Sequence, residues 1–89
     1  MFVVYILYSE IFNKTYCGYT NDLERRLKEH NITSVTGYTL KYRPWCVIKT
    51  ELFETRQSAK IKEKYYKTGV GRELIKMIVT HYNNEKLNS

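Results

Sequence analysis

The sequence predicts an α+β fold, a small three-stranded, mainly antiparallel β-sheet flanked by about three α-helices. Three observations lead there. Two runs rich in β-branched and aromatic residues, 3–8 and 15–20, are separated by the short polar stretch 10–14, which is the pattern of a hairpin. A third such run, WCVIKTEL at residues 45–52, stands alone in mid-chain. Apolar residues at helical spacing fill much of the remainder.

In chain order, Asn13-Lys14 supplies the hairpin turn, and Gly18 sits within the second strand. Asn21 is placed to cap the helix that follows, with Glu24 as the returning half of a capping box. Asp22 and Glu24 suit the positive end of that helix. Leu23 and Leu27 form its core stripe, while Arg26 and His30, four apart, share another face. Residues 32–44, ITSVTGYTLKYRP, read as an ordered loop. In the third strand, Cys46, Val47 and Ile48 suggest burial over most of its length. Thr55 caps a second helix over about 56–67, Gly69 ends it, and Gly71 turns the chain into a third helix over about 72–80. Leu74, Ile75, Ile78 and Val79 give that helix a core-facing stripe. The organisation expected is one domain over residues 1–82 and a polar, frayed tail over 83–89.

The 89 residues carry a net charge of +6, with fifteen Lys and Arg against nine Asp and Glu. Such an excess favours a polyanionic partner, nucleic acid before membrane. A chain of this length buries only somewhat over ~60% of its unfolded surface. Nine tyrosines, three phenylalanines and one tryptophan therefore matter to the core. Cys17 and Cys46 form neither a metal-ligand spacing nor a disulfide framework, which points to a reduced, cytoplasmic chain. The N-terminal apolar run is too short to span a bilayer. Gly69-Val70-Gly71 lacks the lysine and hydroxyl residue of a phosphate loop and reads as a turn.

A hairpin brings the hydroxyls of Tyr5 and Tyr16 to one place, beside the helix face of Arg26 and His30. Two phenols, a guanidinium and an imidazole suit an anionic, phosphate-like substrate. In the loop, Tyr38, Lys41, Tyr42 and Arg43 offer aromatic faces for bases and cations for phosphates. Lys60, Lys64 and Lys67 add a basic face on the second helix. Taken singly, a strand tyrosine is more often packing than chemistry, and a lysine run is more often a solvated face.

Val4-Tyr5-Ile6 and Tyr16-Cys17-Gly18 resemble the two halves of the signature of the GIY-YIG nucleases. The resemblance continues through residues 20–27, His30-Asn31, Arg43-Pro44, Ala59 and Glu63, and is closest to the small single-domain, excision-repair-nuclease-like members. It implies a metal-dependent endonuclease that hydrolyses DNA phosphodiesters with little intrinsic sequence specificity. By that likeness Glu63 holds one divalent cation, Mg2+ or Mn2+, and Arg26 grips the scissile phosphate. Tyr5 and Tyr16 divide the tasks of activating water and binding phosphate, and His30 is a proton shuttle or phosphate contact. Val4 and Cys17 replace the signature glycine and isoleucine, with both tyrosines and Gly18 kept. No asparagine within 72–80 matches the one some members carry in the last helix; Asn83 and Asn84 lie beyond. The rival readings are a non-catalytic DNA- or RNA-binding module and a nuclease subunit activated by a partner. The likeness also allows a homodimer and a role in DNA repair.

Overall fold

A computed structural model describes residues 1–33 and 37–87 of the chain. Three strands, β1 (Phe2–Ser9), β2 (Lys14–Thr20) and β3 (Cys46–Phe53), form one antiparallel sheet in the order β2-β1-β3. Four helices are present among the described residues: α1 (Leu23–Lys28), the single turn α2 (Tyr38–Lys41), α3 (Arg56–Tyr66) and α4 (Gly69–Leu87). A π-helical turn over Glu29–Thr33 continues α1.

The fold is organised by β1, the central strand, in which every residue from Val4 to Ser9 is buried. Side chains of successive strand residues point to opposite faces, so β1 serves two cores at once. Val4 and Ile6 join Cys17, Ala59, Tyr66 and Ile75 under α3 and α4. Tyr5 and Leu7 join Trp45 on the other face, with Leu23 and Leu27 of α1 packed against them as their spacing predicts. The hairpin register runs from Val3 opposite Thr20 to Ser9 opposite Lys14. At its tip Asn13 takes a left-handed φ of 53°, which Asn tolerates better than most residues. The Tyr8 hydroxyl donates to Asn13 Oδ1 at 3.0 Å.

Several boundaries differ from expectation, each for a local reason. Asp22, not Asn21, caps α1, its carboxylate accepting from Arg25 N–H at 3.1 Å. The Asp22 N–H is itself taken by Thr20 Oγ1, which fixes the cap one residue later. β3 is an edge strand with no fully buried residue, and Thr50 and Leu52 are exposed; a bulge at Ile48 interrupts its pairing with β1. Part of the expected loop is helical: α2 forms there, whereas residues 34–36 lie outside the description.

Thr55 caps α3 as predicted, accepting from Ser58 N–H. Gly69, however, opens α4 instead of ending α3, and Gly71 lies inside the helix. The turn is made by Thr68, whose hydroxyl donates to Tyr65 O and accepts from Gly71 N–H. Residues 83–87, expected in a frayed tail, are the last turns of α4. Glu10 holds them, accepting from Tyr82 at 2.7 Å and pairing with Lys86 at 2.6 Å. Residues 88–89 lie outside the description.

Candidate active site

Tyr5, Tyr16, Arg26 and His30 converge on the face of the sheet covered by α1 and the π-helical turn. Tyr5 and Tyr16 arrive from paired strands on the same face, with ring centroids 6.3 Å apart. His30, in the π-turn, is 3% exposed, and its ring centroid lies 4.8 Å from that of Tyr16. Its Nε2 is 2.9 Å from the Tyr5 hydroxyl. Arg26 lies near enough to influence that hydroxyl, and its Nη1 is anchored on Glu29 Oε1 at 3.0 Å. An open cavity of about 180 Å3 is lined by Tyr16, Arg26, Glu29, His30, Tyr38 and Thr39, among others.

Gly18 makes this crowding possible. A Cβ built there would stand 2.5 Å from the Tyr5 hydroxyl oxygen, closer than real side chains approach. Gly18 faces Tyr5 directly across the hairpin, so the position is reserved for the phenol.

Burial pushes the Tyr5 phenol up to about 12 against the lowering effect of Arg26, so the hydroxyl keeps its proton at neutral pH. Burial, then the Arg26 charge, hold His30 below its ordinary value. With the ring proton of the neutral imidazole on Nδ1, the protonated Tyr5 phenol donates to His30 Nε2. The same asymmetry couples His30 to stability. As pH falls through the unfolded-chain value of roughly 6.5, the unfolded state takes up a proton that the fold resists. Stability is therefore expected to fall toward pH 5, and NMR titration of the His30 ring should give a midpoint below 6.5.

Asn31 and Arg43 brace the turn that carries His30. Asn31 clamps the Trp45 backbone, its Oδ1 accepting from the N–H at 2.7 Å and its Nδ2 donating to the carbonyl at 3.0 Å. Arg43, expected to meet nucleic acid, directs Nε to the His30 carbonyl at 2.6 Å and Nη2 to that of Glu29 at 3.3 Å. Orphan carbonyls after a helical segment explain both the cation's position and its half-burial. Among the remaining loop residues, Tyr38 donates to Thr15 O and packs against Tyr42 at 4.9 Å. Tyr42 also lies 5.5 Å from Phe12 of the hairpin tip, with Lys41 and Lys14 over its ring.

Glu63 lies on α3, whose Ala59 and Tyr66 pack on the face of the sheet opposite Tyr5, and its charge is felt by Cys17 of β2. Its carboxylate is 17% exposed and pairs with Lys67 at 2.9 Å. Glu63 holds the Lys67 ammonium above its ordinary value, with Tyr16 a lesser influence. Lys60 and Lys64 are exposed on α3. Among the described residues, no three His, Cys, Asp or Glu side chains gather into a metal cage. A single carboxylate oxygen donor nonetheless fits magnesium, which commonly keeps water and phosphate oxygens in most of its shell.

The sequence matches the GIY-YIG catalytic domain over residues 1–85. The chain belongs to the GIY-YIG family. Among curated relatives, the UPF0213 protein YazA of Bacillus subtilis is 44% identical over 55 residues, covering 62% of this chain and 56% of YazA. This match thus spans little more than half of that relative's length. A UPF0213 protein of Limosilactobacillus reuteri is 33% identical over 82 residues, covering 90% and 84% of the two chains. The solution structure of the UPF0213 protein BH0048 from Bacillus halodurans superposes with a TM-score of 0.52 at 28% identity, covering 88% of this chain and 85% of that one. These likenesses bear out the GIY-YIG fold. Among the described residues no helix is long and apolar enough to cross a membrane.

Proposed function

We infer that the chain is a metal-dependent endonuclease cutting DNA phosphodiesters with little sequence preference. The observation that carries this reading is the Arg26–Tyr5–His30 arrangement, a buried phenol hydrogen-bonded to an imidazole with a guanidinium nearby. Hydrolysis needs a base for the attacking water and compensation for charge on the phosphoryl oxygens. Tyr5 and His30 supply the first: as the phenol passes its proton to Nε2, its oxygen accepts one from water, and Arg26 stabilises the phenolate. Arg26 also faces the cavity, where its remaining N–H groups meet the scissile phosphate. The Tyr16 hydroxyl has no hydrogen-bond partner among the described residues and lines the same cavity, so it donates to a non-bridging oxygen.

One divalent ion, Mg2+ or Mn2+, is assigned to Glu63, where it would act as Lewis acid and template for the phosphate. Glu63, now paired with Lys67, is the residue that would hold the ion. Tyr38, Lys41, Tyr42, Lys60 and Lys64 are the further strand contacts, and Arg43 acts through His30. A reduced cytoplasmic setting, a repair role and pairing with a second copy or a partner protein accompany this reading.

The test is cleavage of labelled single-stranded, duplex and branched DNA, and of one RNA strand, with magnesium or manganese. Wild-type cutting should be lost in EDTA and fall about 100-fold or more in Glu63→Gln, with DNA affinity kept within a few-fold. Salt-sensitive binding without turnover on every substrate would replace the nuclease with a nucleic-acid-binding module.

A further inference from the structure

On the other side of Arg26 from the tyrosine cavity lies a second, larger one of about 430 Å3. Arg26 and Glu29 form the wall common to both, and Phe2, Arg25 and Arg56 are among the residues that line the new space. Its lining therefore carries three guanidinia against one carboxylate. Two of the three are already compensated. Arg26 pairs with Glu29 at 3.0 Å, and Arg25 with Asp22 and Glu29 at 3.8 Å each. Arg56 differs. Among the described residues it has no carboxylate partner, and its guanidinium lies over the Phe2 ring, 5.1 Å from the centroid. Stacking occupies the plane of the cation and leaves its N–H edge available to an anion. The platform is firm, because Phe2 pairs with Phe53 across β1 and β3.

We propose that this cavity is a second phosphate site, in which Arg56 grips the nucleic-acid backbone next to the phosphate held at Arg26. The assignment rests on the nuclease reading and extends it. The strand runs from Phe2 and Arg56 past Arg26 into the tyrosine cavity, so a substrate must continue beyond the cut on the Arg56 side. Arg56 is a binding residue here and takes no part in proton transfer.

The experiment measures binding of a labelled oligodeoxynucleotide in EDTA across a potassium chloride series, for wild type, Arg56→Gln and Arg72→Gln. Arg72 removes the same charge from the opposite end of β2, beside Asn13 and Thr15. Arg56→Gln should weaken binding about fivefold and lower the slope of log K against log salt by about 0.7–0.9. Arg72→Gln should leave that slope unchanged. Both arginines are exposed, so neither substitution threatens the fold. An unaltered slope in Arg56→Gln, or equal losses in both variants, would overturn the second site while wild-type binding left the nuclease reading intact. Wild type that binds no oligodeoxynucleotide would instead remove the nuclease reading and this site with it.

Discussion

Arg26→Ala is expected to lower kcat for DNA cleavage by about 10²–10³-fold while the protein stays folded. The side chain is 40% exposed and lies on one turn of a short helix, so its removal opens no core cavity. Its loss would instead be felt at three atoms together. Glu29 would lose the nearer of its two cations, the Tyr5 oxygen would lose the charge that tempers its high pKa, and the substrate phosphate would lose its fork. With Arg26 gone, the phenolate formed when Tyr5 hands its proton to His30 has only the imidazolium beside it. Lysine cannot repair this, because one ammonium does not span Glu29, Tyr5 and a phosphate. Arg26→Lys should therefore recover no more than about tenfold of the loss. Lys28→Ala, which removes an exposed charge from the same helix, should leave kcat within about twofold. Single-turnover rates at saturating DNA decide the matter. If Arg26→Ala cleaved at the wild-type rate with only weaker binding, the guanidinium would be a tether and the relay would have to work without it.

The three strands, the hairpin and α3 were legible because their signals are local: β-branched runs, a polar turn and Thr55 before an apolar-periodic segment. The pairing of Tyr5 with Tyr16, and the common side of Arg26 and His30, were legible for the same reason, since strand register and helical spacing place them. What could not be read depended on residues far apart in sequence. Nothing in WCVIKTEL says that β3 is an edge strand, because strand order is set by which neighbour covers which face. Asn31 looks like any residue near a helix end until Trp45 arrives to meet it, 14 positions later. Arg43 carries the same charge whether it faces solvent or the carbonyls of the π-turn. The tail is the plainest case. Residues 83–87 have no strong apolar stripe, and what orders them is Glu10, more than 70 positions earlier.

Gly71 misled the sequence reading most, and it leads to the largest expected change in stability. Glycine near a helix end normally signals a stop, yet this one sits in α4 because two helices touch there. A Cβ at Gly71 would lie 2.0 Å from the Tyr65 carbonyl oxygen and 2.5 Å from the Tyr66 Cα. Both are backbone atoms, so no rotamer change relieves the overlap, and α4 must lift away from the end of α3. The contacts then at risk are central ones: Tyr66 and Ile75 share the core with Ala59, and the Tyr66 hydroxyl donates to Glu51 at 2.7 Å. Gly71→Ala should cost about 3 kcal/mol, the upper part of the range for overpacking, because the obstacle is rigid. For a domain of this size that is a fall in Tm of roughly 12–24 °C. Gly69 provides the contrast two residues away, since nothing lies within 4 Å of a Cβ there. Gly69→Ala should be neutral or stabilise by up to about 1 kcal/mol, as the chain loses freedom in the unfolded state without meeting an obstacle. Urea unfolding of the pair separates close packing from helix propensity. If both alanines raised stability, the α3–α4 contact would be loose enough to yield, and Gly71 would be an ordinary helix glycine. The expected opposite signs would show that the close approach of α3 and α4 at Gly71 is rigid and helps to set the position of α3.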